Sequence, residues 1–247
     1  MFKIPVLKRL IPSIRRRIRV LINKRIFWAK INNIYFKIDI QDKIDREYYF
    51  KKEFEKDNFN FINKCSFFRN KFIFLDIGCN SGIYSLNILK NFVNCSMVIA
   101  FEPILETFEK FKMNIEKNNF QHRVEHYNYA LSDTSEQKKM KSIFRNNKKQ
   151  SAVYEISSEG DQIVESKIFD KLYNYKNKYI FLKCDTEGHE YEVLLGMKKN
   201  LELNNCLILV EIQKNNLKKV SDFLKDLNYV LLKKTNEKNS YFYGKLK

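Results

Sequence analysis

The 247-residue sequence predicts an α/β sandwich: a seven-stranded, mainly parallel sheet with a C-terminal antiparallel hairpin and helices on both faces. Three observations predict it. Short apolar runs recur seven times from residue 72 onward, and helix-like segments separate most of them, as right-handed crossovers between parallel strands require. The last two runs have only the turn-rich stretch Lys233–Asn239 between them, so they pair antiparallel. No apolar stretch approaches the roughly 20 residues that span a bilayer, which excludes a bundle of membrane helices.

The chain opens with a strongly basic segment. Residues 1–38 hold five Lys, six Arg and no Asp or Glu, a charge of +11 within the total of +17. The other 209 residues carry 17 − 11 = +6, so the rest of the chain is only mildly basic. Lys, Asn, Ile, Phe and Tyr are abundant and Gly, Pro and Trp scarce, the bias of an AT-rich genome, so part of the lysine excess needs no functional reading. After Pro12-Ser13, apolar residues fall at Ile14, Ile18, Leu21, Ile22 and Ile26 with helical spacing, and Arg15, Arg16, Arg17, Arg19 and Arg25 occupy the remaining surface. Residues 1–45 thus read as a basic amphipathic N-terminal extension. It lies on anionic lipid with Trp28 at the headgroup level, packs on the domain with its arginines in water, or meets an acidic partner. Residues 46–247 form the main domain.

Within that domain a helix is expected over Glu47–Lys64. Strands are expected at Phe72–Ile77, Met97–Phe101, Val124–Ala130, Tyr179–Cys184, Cys206–Ile212, Tyr229–Leu232 and Tyr241–Gly244. Helices are expected at Gly82–Asn91, Leu105–Asn118, Glu190–Asn200 and Leu217–Leu227. The polar, basic stretch Ser135–Gln150 reads as a loop or lid. Cysteines 65, 79, 95, 184 and 206 form no Cys-x-x-Cys pair, so no zinc knuckle or redox dithiol is indicated and reduced thiols in a cytoplasmic protein are expected. No feature of the sequence specifies an oligomeric state.

Phe74-Leu-Asp-Ile-Gly-Cys-Asn-Ser-Gly82 joins a buried strand to a helix start, the nucleotide-binding element of doubly wound folds. Gly78 allows the turn and room for a ligand, and Gly82 a close approach of the helix to the first strand. Two glycines alone are weak evidence. Asn80 stands where a dinucleotide site has its middle glycine, and it keeps the turn while hindering a pyrophosphate. Asp76 sets a carboxylate at the strand end, unfavourable beside pyrophosphate but suited to the ammonium of a methionine moiety, or alternatively a brace for the loop. Both features favour S-adenosylmethionine over a nicotinamide cofactor. Glu102, ending Ala100-Phe-Glu-Pro103, suits ribose hydroxyls in either case. Ala130 and Leu131 are expected to flank an adenine, with Asp133 receiving its exocyclic amine.

A second cluster, Lys183-Cys-Asp-Thr-Glu-Gly-His-Glu190, crowds ionisable groups at the carboxyl end of the fourth strand. Methyl transfer to an oxygen needs removal of a proton and close placement of the acceptor. Asp185, Glu187 and His189 are the candidate catalytic residues; a helix-start role for His189 stays open, and no coordination set for a metal is complete. Glu211, ending the fifth strand, is a further candidate base or a brace. An Asn-Pro-Pro-Tyr motif, expected of a nucleic-acid base methyltransferase after the fourth strand, is replaced by Asp-Thr-Glu-Gly, whose carboxylates would repel a phosphate backbone.

These segments resemble the FkbM family of methyltransferases over roughly residues 70–215. Ala100-Phe-Glu-Pro103, Asn114 with Asn118, Ala130-Leu-Ser-Asp133, Ile168-Phe-Asp170, Leu194-Leu-Gly196 and Val210-Glu-Ile212 match its motifs in order, and Asp185–Glu190 is the most specific match. Cys79 stands where the family commonly has a small residue such as Ala, and members differ at the position of His189. The resemblance implies a Rossmann-like class I methyltransferase sandwich and O-methylation of a saccharide, glycolipid or related small metabolite. It implies contact with S-adenosylmethionine through Asp76, Gly78, Asn80 and Glu102, with Asp185 and Glu187 facing the reaction centre. A nicotinamide-dependent oxidoreductase and a non-catalytic module that binds S-adenosylmethionine or lipid are the competing expectations.

Overall fold

In the computed structural model, residues 25–145, 148–156, 159–160, 162–237 and 239–245 are described. They divide into two compact units at Phe54/Glu55, nine residues beyond the boundary expected at 45/46.

In the first unit, β1 (Ile26–Ile31) and β2 (Ile34–Asp39) form an antiparallel hairpin, and α1 (Lys43–Lys51) packs on its inner face. The turn residues Asn32 and Asn33 have φ of 49° and 63°, the pair of positive angles that a tight two-residue hairpin turn requires. Ala29, Ile31, Ile34, Phe36 and Ile38 alternate inward and are buried, with Phe36 edge-on to Tyr48. Ile26 therefore belongs to a strand rather than to the end of a helix. The remainder of the expected helix lies outside the described residues.

The second unit begins with α2 (Lys56–Lys64). The single helix expected over Glu47–Lys64 is broken: Lys52 closes α1 with left-handed angles and its N–H bonded to the Tyr48 carbonyl, and Glu55 is left-handed as well. The main sheet contains β3 (Phe72–Ile77), β4 (Cys95–Phe101), β5 (Val124–Tyr127), β10 (Tyr179–Cys184), β11 (Asn205–Glu211), β12 (Tyr229–Lys234) and β13 (Ser240–Lys245). Their order is β12-β13-β11-β10-β3-β4-β5, with only β13 antiparallel to its neighbours. The expected seven-stranded sheet with its terminal hairpin is thus present. The strand order reverses between β3 and β10, and ligands of such sheets bind at that crevice, beyond the carboxyl ends of the strands.

Helices cover both faces. α3 (Ile83–Asn91) and α4 (Leu105–Lys117) follow β3 and β4. On the other face, α5 (Phe169–Leu172), α6 (Glu190–Leu195), α7 (Lys198–Leu203) and α8 (Leu217–Asp226) help to enclose a core that includes Leu75, Ile99, Leu182, Ile208, Val193 and Leu224. The helix expected over Glu190–Asn200 is two, parted at Gly196 and Met197. The run Val124–Ala130 likewise divides into β5 and the two-residue β6 (Ala130–Leu131).

Ser135–Gln150 is not a loop or lid. β7 (Gln137–Arg145), β8 (Lys148–Ile156) and β9 (Gln162–Lys167) join β6 in a second sheet of order β6-β9-β7-β8. Among its described side chains, Met140 and Val164 are buried with Ile104, and Ala130 packs against them.

Candidate active site

The glycine loop sits at the reversal point of the main sheet. Gly78 N–H and Cys79 N–H both donate to the Phe101 carbonyl, at 2.9 and 3.1 Å, which fastens the loop to the end of β4. Gly78 has φ +74°, and a Cβ there would lie 2.0 Å from the Asp185 carbonyl oxygen. Glycine is required here by the turn, as expected, and by the approach of the β10 chain end. Gly82 (φ +84°) is also needed, because a Cβ would fall 2.3 Å from the Phe111 ring on α4; its tight neighbour is that helix and not the first strand. Asn80 takes a left-handed φ of 51°, as expected for a residue replacing glycine in the turn.

Asp76 is fully buried. Its Oδ2 accepts from Ser85 Oγ at 2.6 Å, and its Oδ1 has no partner among the described residues. Burial raises its pKa, and Lys183, its register partner on β10, works against that rise. Glu102 is also buried, and both its oxygens brace backbone: Oε2 accepts from Asn80 N–H at 2.9 Å and Oε1 from Ile104 N–H at 3.0 Å. Each oxygen keeps a second acceptor direction. Asn114 Nδ2 donates to the Ser81 carbonyl at 2.9 Å and ties α4 to the same loop.

Burial pushes the Glu102 carboxyl up to about 7 from its ordinary 4.5. An acid with a raised folded-state pKa contributes stability below its unfolded pKa that is lost as pH rises through the folded value. The melting temperature of the ligand-free protein is therefore expected to fall between about pH 5 and pH 8, and Glu102→Gln to flatten that fall in differential scanning fluorimetry. An unchanged slope in the variant would count against the assignment.

The motif after β10 forms the opposite wall. Lys183 is 6% exposed and donates from Nζ to Asp185 Oδ2 at 3.1 Å. Burial alone would lower its pKa, but Asp185, Asp76 and Glu55 outweigh burial and hold it above the ordinary value. Its Nζ also lies 5.1 Å over the Tyr84 ring, and the Tyr84 hydroxyl donates to Glu55, which accepts from Asn58 Nδ2 at 2.7 Å as well. Glu187 has a left-handed φ of 50°, and Gly188 N–H donates to Glu190 Oε1 at 2.7 Å. Burial, then Asp185 and Glu55, pushes Glu211 up to about 8.

His189 bridges two segments. Its Nε2 is 2.9 Å from Ser132 Oγ and its Nδ1 3.5 Å from Glu192 Oε2, and burial lowers its pKa. Both ring nitrogens thus face partners, so His189 joins the Ala130–Asp133 segment to the start of α6. Asp133 accepts from Ser132 Oγ at 3.1 Å. Ala130 packs near Ile104, two residues beyond Glu102.

Of the predicted residues, Asp76, Gly78, Asn80, Glu102 and Asp185 converge on the reversal point, while His189 and Asp133 meet at Ser132 and Ala130 packs by Ile104. Glu55, Tyr84, Ser85 and Lys183 were given no role by sequence reasoning. The two-residue spacing of Lys183 and Asp185 was the available signal for Lys183, whereas nothing marks Glu55. No group of residues that could hold a metal ion occurs among the described residues.

Residues 76–231 match the model of the methyltransferase FkbM domain. The fold is similar to that of the FkbM methyltransferase of Methylobacillus flagellatus KT, at 12% identity and a TM-score of 0.52, over 81% of this chain and 52% of that one. The chain thus spans about half the length of that protein. TYW2 of M. jannaschii, solved in complex with AdoMet, matches at 11% identity and a TM-score of 0.45, covering 90% of this chain and 87% of that one. The tRNA methyltransferase TrmK of B. subtilis matches at 12% identity and 0.46, covering 79% and 68%. No curated protein matches by sequence.

Proposed function

The chain belongs to the FkbM methyltransferase domain family, and from that membership we propose that it transfers the methyl group of S-adenosylmethionine to a hydroxyl of a saccharide, glycolipid or related small metabolite. The observation that carries the cofactor reading is Asp76 Oδ1, a buried carboxylate oxygen without a partner among the described residues, beside a glycine loop at the reversal point of the sheet. An orphaned buried acceptor is costly unless a ligand donates to it, and the methionine ammonium is such a donor. Glu102 offers the free acceptor directions of its two oxygens to the ribose hydroxyls while its backbone bonds keep it aimed. Ile104 and Ala130 give an apolar edge for the adenine, with Asp133 next to it.

Bound S-adenosylmethionine supplies an electrophilic methyl group on a sulfonium. The chain's own residues orient the acceptor and take its proton. Asp185, Glu187 and Glu211 present carboxylates at the ends of β10 and β11, able to accept hydrogen bonds from several hydroxyls of one sugar. Glu211, pushed up to about 8, is matched to proton uptake near neutral pH. His189, engaged by Ser132 and Glu192, holds the wall in place. A cytoplasmic location suits the five free cysteines.

Isothermal calorimetry tests the cofactor. Micromolar binding of S-adenosylmethionine and S-adenosylhomocysteine is expected, weakened at least tenfold by Glu102→Ala, each lost charge-assisted bond being worth about 1.5 kcal/mol or more. Binding of a nicotinamide dinucleotide without S-adenosylmethionine would overturn the reading. Labelled-methyl transfer into host glycan and lipid extracts, with Asp185→Ala and Glu187→Ala as controls, tests the reaction; cofactor binding without transfer would point to a non-catalytic module.

A further inference from the structure

We propose that the first unit docks on an anionic lipid surface through the outward face of its β1–β2 hairpin. Strand alternation sends Ile26, Trp28 and Lys30 to the face opposite the buried Ala29 and Ile31, and Tyr35 and Lys37 to the same face from β2. Register sets Trp28 beside Lys37 and Lys30 beside Tyr35, with Lys30 Nζ 5.4 Å over the Tyr35 ring. Ile26, Trp28 and Tyr35 remain 54%, 41% and 38% exposed. Large apolar and aromatic side chains interleaved with lysines are the composition of a membrane-interface surface, where rings settle among headgroups and ammonium groups meet phosphates. The acid on this face, Asp39, is held by the Arg25 guanidinium, whose Nε lies 2.9 Å from both carboxylate oxygens.

Charge fixes the sign of the occupant. Residues 1–38 carry eleven cationic side chains and no acid, which complements an anionic bilayer. Among the described residues no helix is long and apolar enough to cross a membrane, so attachment by this face would be peripheral. This inference stands apart from the methyl-transfer reading and uses none of its residues.

Trp28 is the only tryptophan, so its emission reports on this face alone. The full chain is mixed with vesicles of equimolar phosphatidylcholine and phosphatidylglycerol, or of phosphatidylcholine only. The expected result is co-sedimentation with the anionic vesicles, a blue shift of Trp28 emission and quenching by brominated acyl chains. Lys30→Gln and Lys37→Gln should each reduce partitioning about fivefold, the factor that about 1 kcal/mol per cation near such a surface corresponds to, with unchanged circular dichroism. Sedimentation without any change in Trp28 emission would overturn the proposal, since attachment would then lie elsewhere. An equal blue shift with heparin or RNA in the absence of lipid would overturn it in favour of a soluble acidic partner, and no binding to either vesicle would overturn it outright.

Discussion

Replacing Gly78 by alanine is expected to abolish detectable binding of S-adenosylmethionine and to lower the melting temperature by about 6–12 °C, the shift that roughly 3 kcal/mol produces in a chain of this size. Two costs combine. A left-handed φ of +74° costs a residue with a side chain about 1–2 kcal/mol. The added Cβ would also meet the Asp185 carbonyl oxygen at 2.0 Å. That oxygen cannot swing aside as a side chain would, because Asp185 N–H is bonded to the Ile77 carbonyl at 3.1 Å and Gly78 N–H to the Phe101 carbonyl at 2.9 Å. Relief requires the ends of β3 and β10 to part, and the proposed cofactor site lies at that junction. Gly82→Ala offers the contrast. Its clash is with the Phe111 side chain, so a second substitution, Phe111→Ala, should recover part of the binding that Gly82→Ala loses, whereas no side-chain change relieves Gly78→Ala. Scanning fluorimetry and calorimetry on the three variants decide the matter: a Gly78→Ala protein with native melting and binding would show that the junction yields freely.

The junction was legible in the sequence because its strands open on continuous apolar residues. β3 and β10 have both faces covered, so residues 72–75 and 179–182 each read as an apolar run, with one charged residue, Asp76 or Lys183, just before the strand's end. The sheet of β6–β9 was not legible. Among the described side chains its buried apolar residues are Leu131, Met140 and Val164, few against the lysines and polar residues of Ser135–Gln150. The break between α1 and α2 left no trace either, because its left-handed residues are Lys52 and Glu55, and neither glycine nor proline marks the spot. The N-terminal hairpin did leave one. Ala29, Ile31, Ile34, Phe36 and Ile38 alternate around Asn32-Asn33, but the helical spacing from Ile14 to Ile26 and the run of arginines mask that alternation. At the site, residue type exposed the carboxylates, while the cation holding them together required the strand register that pairs Asp76 with Lys183.

Removing that cation should have the second large effect. Lys183→Met is expected to destabilise the protein by about 3–5 kcal/mol at neutral pH, the usual consequence of leaving a buried charge without its partner. Asp76 is fully buried, and the partly exposed Asp185 accepts from the same ammonium at 3.1 Å, so the variant leaves one buried and one half-buried carboxylate without their cation. The pH dependence distinguishes this cause from lost packing. Burial already raises the Asp76 pKa and Lys183 opposes the rise, so without the lysine the carboxyl protonates at still higher pH. An acid with a raised folded pKa contributes stability at low pH that disappears as pH climbs through that pKa, so the deficit of the variant should be largest at neutral pH and shrink as the pH falls. Asp76→Asn in the Lys183→Met background should recover part of the loss, because the amide needs no counter-charge, and a double-mutant cycle read by chemical denaturation measures the coupling. Strict additivity of the two changes, or a deficit independent of pH, would mean that Lys183 only fills space beside Tyr84. Coupling accompanied by weakened S-adenosylmethionine binding in both single variants would place Lys183 as the residue that keeps Asp76 charged and aimed at the methionine ammonium.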